Sequence, residues 1–230
     1  MNLSESEEEY LESLYKLTRK RERVRVSDLA EDLDLSQPSV VEMLKKLERK
    51  DLVKYEKSLG CELTEKGEKI GMGVSRRHRL AERLLTDMLN RDLSQVHDEA
   101  CKLEHSLEDK TADEIARVLG DPNTCPHGRP IPERGEERSE EDMIKLSEGD
   151  EGKEYNVVAI PEESEHVQRL LPLAILPGTN IELTENPSSG ALMIRRGSDK
   201  LALSRNIASE IEVRECGRGE GRRHRRRIGR

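Results

Sequence analysis

Phenylalanine and tryptophan are absent from the 230 residues, and tyrosine supplies the whole 2% aromatic content. A core must therefore be assembled from Leu, Ile, Val, Ala and Met, which suits helices and leaves few rings on which bases or sugars could stack. Long apolar runs are missing too. None approaches the roughly 20 residues of a membrane span, and Met1 leads into Asn2-Leu3-Ser4 and acidic residues, unlike a signal peptide. The expectation is a cytoplasmic protein with no membrane partner. Cysteine is scarce: positions 61, 101, 125 and 216 form no CxxC pair. They are expected as free thiols, core fillers or metal ligands and not as a disulfide framework. No HExxH, GxSxG or Walker-type loop is present, and Gly71-Met72-Gly73 lies in a helical stretch with no preceding βαβ unit. Neither an enzyme nor a small organic substrate is expected.

Charge is what the chain has in abundance. Charged residues make up 38% and hydrophobic ones 33%, which favours several small, solvated modules over one large core. The net charge of -8 opposes binding to phosphates, but it hides local basic runs. Arg19-Lys20-Arg21-Glu22-Arg23-Val24-Arg25 is one, and Lys45-Lys46 with Arg49-Lys50 is another.

Ser4 and Glu7 form a capping box, and Leu11, Leu14, Tyr15 and Leu17 give an apolar helical face to about residue 20. Ser27 can cap a short second helix carrying Leu29, Ala30 and Leu33. After a tight turn at Asp34-Leu35, Ser36 caps a third helix with Pro38 in its first turn. Residues 52–56 and 61–64 alternate like strands around Gly60, so a hairpin follows. Helix, helix-turn-helix and hairpin in this order make a winged helix-turn-helix, whose recognition helix starts near Ser36-Gln37-Pro38-Ser39. A long helix is expected from Thr64 to about residue 90, another capped by Ser94, and a shorter one with Thr111 and Glu114 as capping box. Leu80, Leu84, Leu85 and Met88 in line suit a dimerisation layer, or equally the chain's own core. Residues 120–138 read as a proline-containing loop or linker. Strand candidates at 154–160, 180–184, 192–196 and 201–204 then suggest a small β-barrel. Residues 217–230, with seven Arg against one Glu, read as a disordered basic tail. The fold class expected is α+β, in modules spanning 1–64, 65–138 and 139–216.

The stretch that carries chemistry runs from His97 to His105. At about 100° per residue, His97, Cys101, Glu104 and His105 fall on one helix face. His78 and Glu82 stand one turn apart on the preceding helix, and Glu9 and Glu12 share a face of the first. Single His or Cys residues on helices are commonly structural, but this many ligand types on three faces point to a divalent metal. Mixed N, O and S donors suit Fe2+, Mn2+, Co2+, Ni2+ or Zn2+ better than Mg2+ or Ca2+.

Two long segments, Ser75-Arg76-Arg77-His78-Arg79-Leu80-Ala81-Glu82-Arg83-Leu84-Leu85-Thr86-Asp87 and Val96-His97-Asp98-Glu99-Ala100-Cys101 with Glu104-His105, closely resemble the diphtheria toxin repressor family. The resemblance extends from about residue 4 to residue 215. It implies a winged-helix domain, a helical dimerisation domain and an SH3-like C-terminal domain. It also implies a metal-dependent repressor that binds palindromic operator DNA as a homodimer and controls metal uptake or homeostasis genes. Cys101, Glu104 and His105 match the family's activating metal site, with Glu9 at the position that completes it from the first helix. His78, Glu82 and His97 match the ancillary site, which Glu163 and His166 of the third domain would complete. Acids at Glu9 and Glu12 resemble the manganese-responsive branch, whereas Cys101 and the third domain resemble the iron branch. Fe2+ is thus the expected effector, with Mn2+ the alternative and Co2+, Ni2+ or Zn2+ as substitutes in vitro. The candidate DNA-contacting residues are Ser27, Ser36, Gln37, Pro38, Ser39 and Glu42. Glu42 stands where the toxin repressor has Gln, and an acid can accept from cytosine N4 but cannot donate to a base edge.

Two rival classes remain at this stage. A metal-storage protein or metalloenzyme would bind metal without DNA, and a winged-helix sensor of a small organic ligand would bind DNA regardless of chelators. The winged-helix pattern opposes the first, and the clustered His, Cys and Glu oppose the second.

Overall fold

A computed structural model describes residues 3–19, 23–132 and 143–216. Lys20-Arg21-Glu22 of the basic run, the end of the expected linker and the Arg-rich tail lie outside the described residues. Two compact units form, the first from 3–84, 100–121 and 131–132, the second from 85–99, 122–130 and 143–216. The helices expected as one middle module are thus shared between the two units.

In the first unit, α1 (Glu5–Thr18) opens on the expected capping box: Ser4 Oγ accepts from Glu7 N, and Glu7 Oε2 accepts from Ser4 N at 2.9 Å. Helices α2 (Val26–Asp32) and α3 (Gln37–Arg49) follow, separated by a turn in which Asp34 adopts φ 51°. Ser36 Oγ accepts from Ser39 N at 3.3 Å, the expected cap. Strands β1 (Val53–Glu56) and β2 (Gly60–Leu63) pair antiparallel as the wing. Val24 and Cys61 exchange backbone hydrogen bonds of 2.9 Å, tying the chain before α2 to the wing. Burial pushes the Cys61 thiol up to about 12, so it is an inert core side chain. Leu11, Leu14, Leu29, Val40, Leu44, Leu47 and Leu52 are fully buried in one cluster. Each such side chain contributes roughly 1.5–3 kcal/mol relative to exposure.

Helix α4 (Glu65–Arg83) starts at its Thr64 cap and packs along α1. A Cβ on Gly71 would stand 2.3 Å from the carbonyl oxygen of Leu11. Only glycine permits this approach, and that is the structural reason for the Gly71 of the Gly-Met-Gly run. Helix α4 gives way to a π-helical turn at Leu84–Met88, and Asn90 at φ 51° ends it. Helices α5 (Val96–Glu104) and α6 (Asp109–Val118) complete this part of the chain.

Three expected caps are corrected. Helix α2 begins before Ser27, with Arg25 at its N-cap, and the Ser27 hydroxyl turns to Asp28 Oδ1 at 3.3 Å. Helix α6 begins before Thr111, with Glu108 as N-cap and no side-chain cap bond. Ser94 donates its hydroxyl to Asp92 Oδ1 at 2.7 Å in a local turn, and α5 begins two residues later.

The second unit is built on an antiparallel sheet of β3 (Ile144–Lys145), β4 (Lys153–Ala159), β5 (Asn180–Glu185), β6 (Leu192–Arg196), β7 (Asp199–Leu203) and β8 (Glu212–Glu215). The strand order is β3-β8-β4-β5-β6-β7. Helices α7 (Ser164–Leu170) and α8 (Arg205–Ala208) flank it. Tyr155, Val157, Leu170, Ile181, Leu183, Ile194 and Val213 lie in its core. Glu212, 9% exposed, accepts from Arg129 Nη1 at 2.6 Å and Lys145 Nζ at 2.8 Å.

Burial opposes the Glu212 charge, but Arg129 and Lys145 outweigh it and hold the carboxyl down from 4.5 to about 2. A depressed folded-state pKa means stabilisation that is complete above pH 4.5 and lost as pH falls through about 2. Glu212→Gln is expected to lower stability by about 2–3 kcal/mol at pH 7. The difference from wild type should shrink steadily below pH 4.5 in calorimetric melts, whereas a difference independent of pH would contradict this assignment.

Candidate metal centre

Helices α1, α4 and α5 each bring ligand-type side chains to one place in the first unit. Gly71 sets the depth at which α1 lies on α4, and this depth brings Glu12 to His78. Glu12, His78 and Glu104 are all buried, and their ligand atoms lie within 4.8 Å of one another. His78 Nδ1 meets Glu104 Oε2 at 2.6 Å, and its Nε2 meets Glu82 Oε1 at 3.3 Å. Cys101 is exposed at the rim, with Sγ 3.9 Å from His78 Nδ1. His105 follows the last residue of α5, so it projects from the turn beyond the helix. Its Nε2 lies 3.3 Å from Glu104 Oε1, and its Nδ1 lies 2.9 Å from Glu8 Oε2.

The first helix therefore presents Glu8 and Glu12, while Glu9 is exposed and acts on His105 through its charge. Glu8 and Glu12 are four residues apart, about 40° on the helix, beside the buried Leu11 and Tyr15 face. Glu9 lies about 100° beyond Glu8 and farther from that face. Arg77 organises the surroundings: its Nε donates to the Glu104 carbonyl at 2.9 Å, Nη1 to Asp109 Oδ1 at 3.2 Å and Nη2 to Glu8 Oε2 at 3.4 Å. Nothing in sequence spacing singled it out, because its partners come from three different helices.

Burial opposes a charged His78, yet its bonds to Cys101, Glu104 and Glu82 prevail and hold its pKa well above 6.5. His105 is shifted upward as well: burial again opposes, and Glu8, Glu104 and Glu9 favour the cation. Positive charge is thus stabilised where carboxylates and imidazoles converge. Two atoms sharing one ion at about 2.0–2.2 Å each stand no more than about 4.4 Å apart. Oxygen and imidazole donors within 4.8 Å of one another come close to that span, and this donor set fits a first-row divalent cation.

The other expected ligands lie in the second unit. His97 Nδ1 is 3.9 Å from Glu162 Oε2. Glu163 stands at the N-cap position of α7 without a side-chain cap bond, and His166 Nδ1 lies 2.7 Å from Glu210 Oε2. Glu163, His166 and Glu210 can present ligand atoms within 4.8 Å of one another, and Glu210 was not anticipated.

On α3, Ser36, Gln37, Pro38, Ser39 and Glu42 are all exposed, as is Ser27 on α2. The Ser36 and Ser39 hydroxyls lie 2.8 Å apart at the start of α3. Lys45 and Lys46 are exposed farther along the same helix.

Three family models match most of the chain. Residues 2–61 match the iron-dependent repressor N-terminal DNA-binding domain, 64–133 its metal-binding and dimerisation domain, and 144–215 the FeoA domain. The chain is 31% identical over 225 residues to the iron-dependent repressor IdeR of Mycobacterium tuberculosis, covering 92% of this chain and 97% of that one. It is 31% identical over 224 residues to the diphtheria toxin repressor of Corynebacterium glutamicum, with coverages of 92% and 97%. The solved structure of the manganese regulator SloR is similar at 30% identity and a TM-score of 0.77, covering 91% of this chain and 98% of that one.

If Glu12 and Glu104 are ligands, Glu12→Gln and Glu104→Gln should each weaken Mn2+ binding about tenfold or more in anaerobic calorimetry. Glu9→Gln should stay within about threefold of wild type. The reverse ranking would move the first-helix ligand to Glu9.

Proposed function

The chain belongs to the iron-dependent repressor family, a family of transcriptional regulators, and from that premise we propose that it represses transcription when Fe2+ occupies the α1–α4–α5 cluster. The supporting observation is that Glu12 belongs to the DNA-binding layer, while His78 and Glu104 come from the helices that follow it. A bound divalent cation would supply charge neutralisation and a link among Glu12, His78 and Glu104, with Glu8, His105 and Cys101 around it. Glu8 and Glu12 hold α1 in register with α4. His78, fixed between Glu82 and Glu104, is already oriented toward them.

A fixed α1 narrows the orientations open to α3, which selects a DNA-competent state from a broader ensemble. In a homodimer two such helices meet successive major grooves of a palindromic operator. The three modules in this reading are 1–64 for DNA, 65–138 for metal and dimerisation, and 139–216 as the SH3-like domain. A cytoplasmic location and control of metal-homeostasis genes belong to the same proposal. The Cys101 thiol favours Fe2+, while the carboxylates of Glu8 and Glu12 favour Mn2+ as a second reading.

Fluorescence anisotropy on the protein's own upstream DNA tests this anaerobically. Fe2+ or Mn2+ should raise affinity, and a chelator should reverse the gain. Glu104→Ala should abolish the metal response while leaving a folded dimer, and an unchanged response would sink the site. Glu42→Gln should shift the preferred base from cytosine toward adenine by about tenfold, since Gln pairs bidentately with adenine. Selection from randomised operators reads this shift, and an identical preferred site would remove Glu42 from base readout.

A further inference from the structure

Glu7 and Glu8 are neighbours in α1, and they reach in different directions, about 100° apart. Glu8 faces His105 and Arg77. Glu7, 2% exposed, faces the recognition helix. Its Oε1 is paired with Lys50 Nζ and lies 3.4 Å from Lys46 Nζ. Lys46 lies in the last turn of α3 and Lys50 at its C-cap, four residues apart on one face. The other Glu7 oxygen, Oε2, accepts from Ser4 N at 2.9 Å and Ser4 Oγ at 3.3 Å. Both oxygens are therefore engaged, and the side chain is held at both ends of its reach.

We infer that Glu7 is the positioning residue through which occupation of the metal centre is transmitted to α3. This rests on the metal-dependent reading above. One turn of α1 is pinned on one side to the end of the recognition helix and on the other to side chains of the metal centre. Glu12 enters that centre only one further turn along the same helix. A helical turn is stiff, so fixing Glu8 and Glu12 fixes Glu7. Glu7 in turn fixes the end of α3 opposite to Ser36-Gln37-Pro38-Ser39. A buried carboxylate between two ammonium groups also resists sliding, because any displacement leaves charge unpaired away from water. The partners of Glu7 are Ser4, Lys46 and Lys50, which are neither ligands of the centre nor the candidate base-contacting residues Ser36, Gln37, Pro38, Ser39 and Glu42, so its role is to connect the two.

The experiment measures coupling and not affinity alone. Operator affinity is titrated with and without Mn2+, and Mn2+ affinity with and without operator, for wild type, Glu7→Gln, Lys50→Met and Lys50→Arg. Circular dichroism melts establish that each is folded. The expected result is that Glu7→Gln binds Mn2+ within about threefold of wild type in the absence of DNA. Its metal-induced gain in operator affinity, and by reciprocity the operator-induced gain in metal affinity, falls at least about tenfold. Lys50→Met should show the same loss, and Lys50→Arg should retain most of the gain. The ratio with and without metal cancels any metal-independent phosphate contact of Lys50. Should Glu7→Gln fail to fold, the Lys50 pair carries the comparison.

Wild-type coupling in a folded Glu7→Gln chain would overturn the inference and leave Glu7 a stability residue. Loss of Mn2+ affinity in that variant without DNA would also overturn it, since Glu7 would then act on the centre itself. A wild-type chain whose operator affinity ignores metal would remove the underlying reading and this one together, and that outcome is visible before any variant is made.

Discussion

The contact at Gly71 governs how deeply α1 sits on α4. The Leu11 carbonyl occupies the space that a side chain at 71 would need, and the Tyr15 Cβ is close by. At that depth Glu12 is carried below the surface to His78 and Glu104, and Glu8 is brought to His105. A looser packing of the two helices would leave these acids in water as an ordinary solvated face. Leu11, Leu14 and Tyr15 add the apolar burial that makes the approach favourable. A backbone contact thus has an electrostatic consequence: it gathers carboxylates in a place where they need cations.

That need is met in several ways in this structure. The His78 imidazole stands between Glu82 and Glu104, Lys16 reaches Glu12 Oε1 at 3.1 Å, and Arg77 reaches Glu8. A divalent ion competes with such monovalent partners and gains most where several carboxylates converge, which is why Glu12 and Glu104 matter more to the account than the exposed Cys101 does. The same economy of charge recurs in the second unit, where Arg129 and Lys145 neutralise the buried Glu212.

Much of this was legible in the sequence. The Ser4 and Ser36 caps, the wing around Gly60 and β6 at 192–196 follow from capping chemistry and two-residue alternation, both local signals. The ligand types of α4 and α5 were legible for the same reason, since helical spacing places them on faces. Long-range terms decided the rest. Strand β8 reads Glu212-Val213-Arg214-Glu215 with only Val213 in the core, and the burial of Glu212 on the other face makes sense only with Arg129 and Lys145 beside it. Strand β3 is only two residues long and exists through its pairing with β8. Choosing among Glu8, Glu9 and Glu12 required knowing which side of α1 meets α4. Ser27, Ser94 and Thr111 misled as caps because a serine or threonine near a helix start has other local partners, as Asp92 is for Ser94.

The central claim is that one divalent cation is held jointly by α1 and by the α4 and α5 side chains. Anomalous diffraction from crystals grown with Mn2+, recorded on both sides of the manganese edge, tests it most directly. A peak bounded by Glu12, His78 and Glu104 is expected. Manganese confined to Glu163, His166 and Glu210, or a peak with no α1 residue among its ligands, would contradict it.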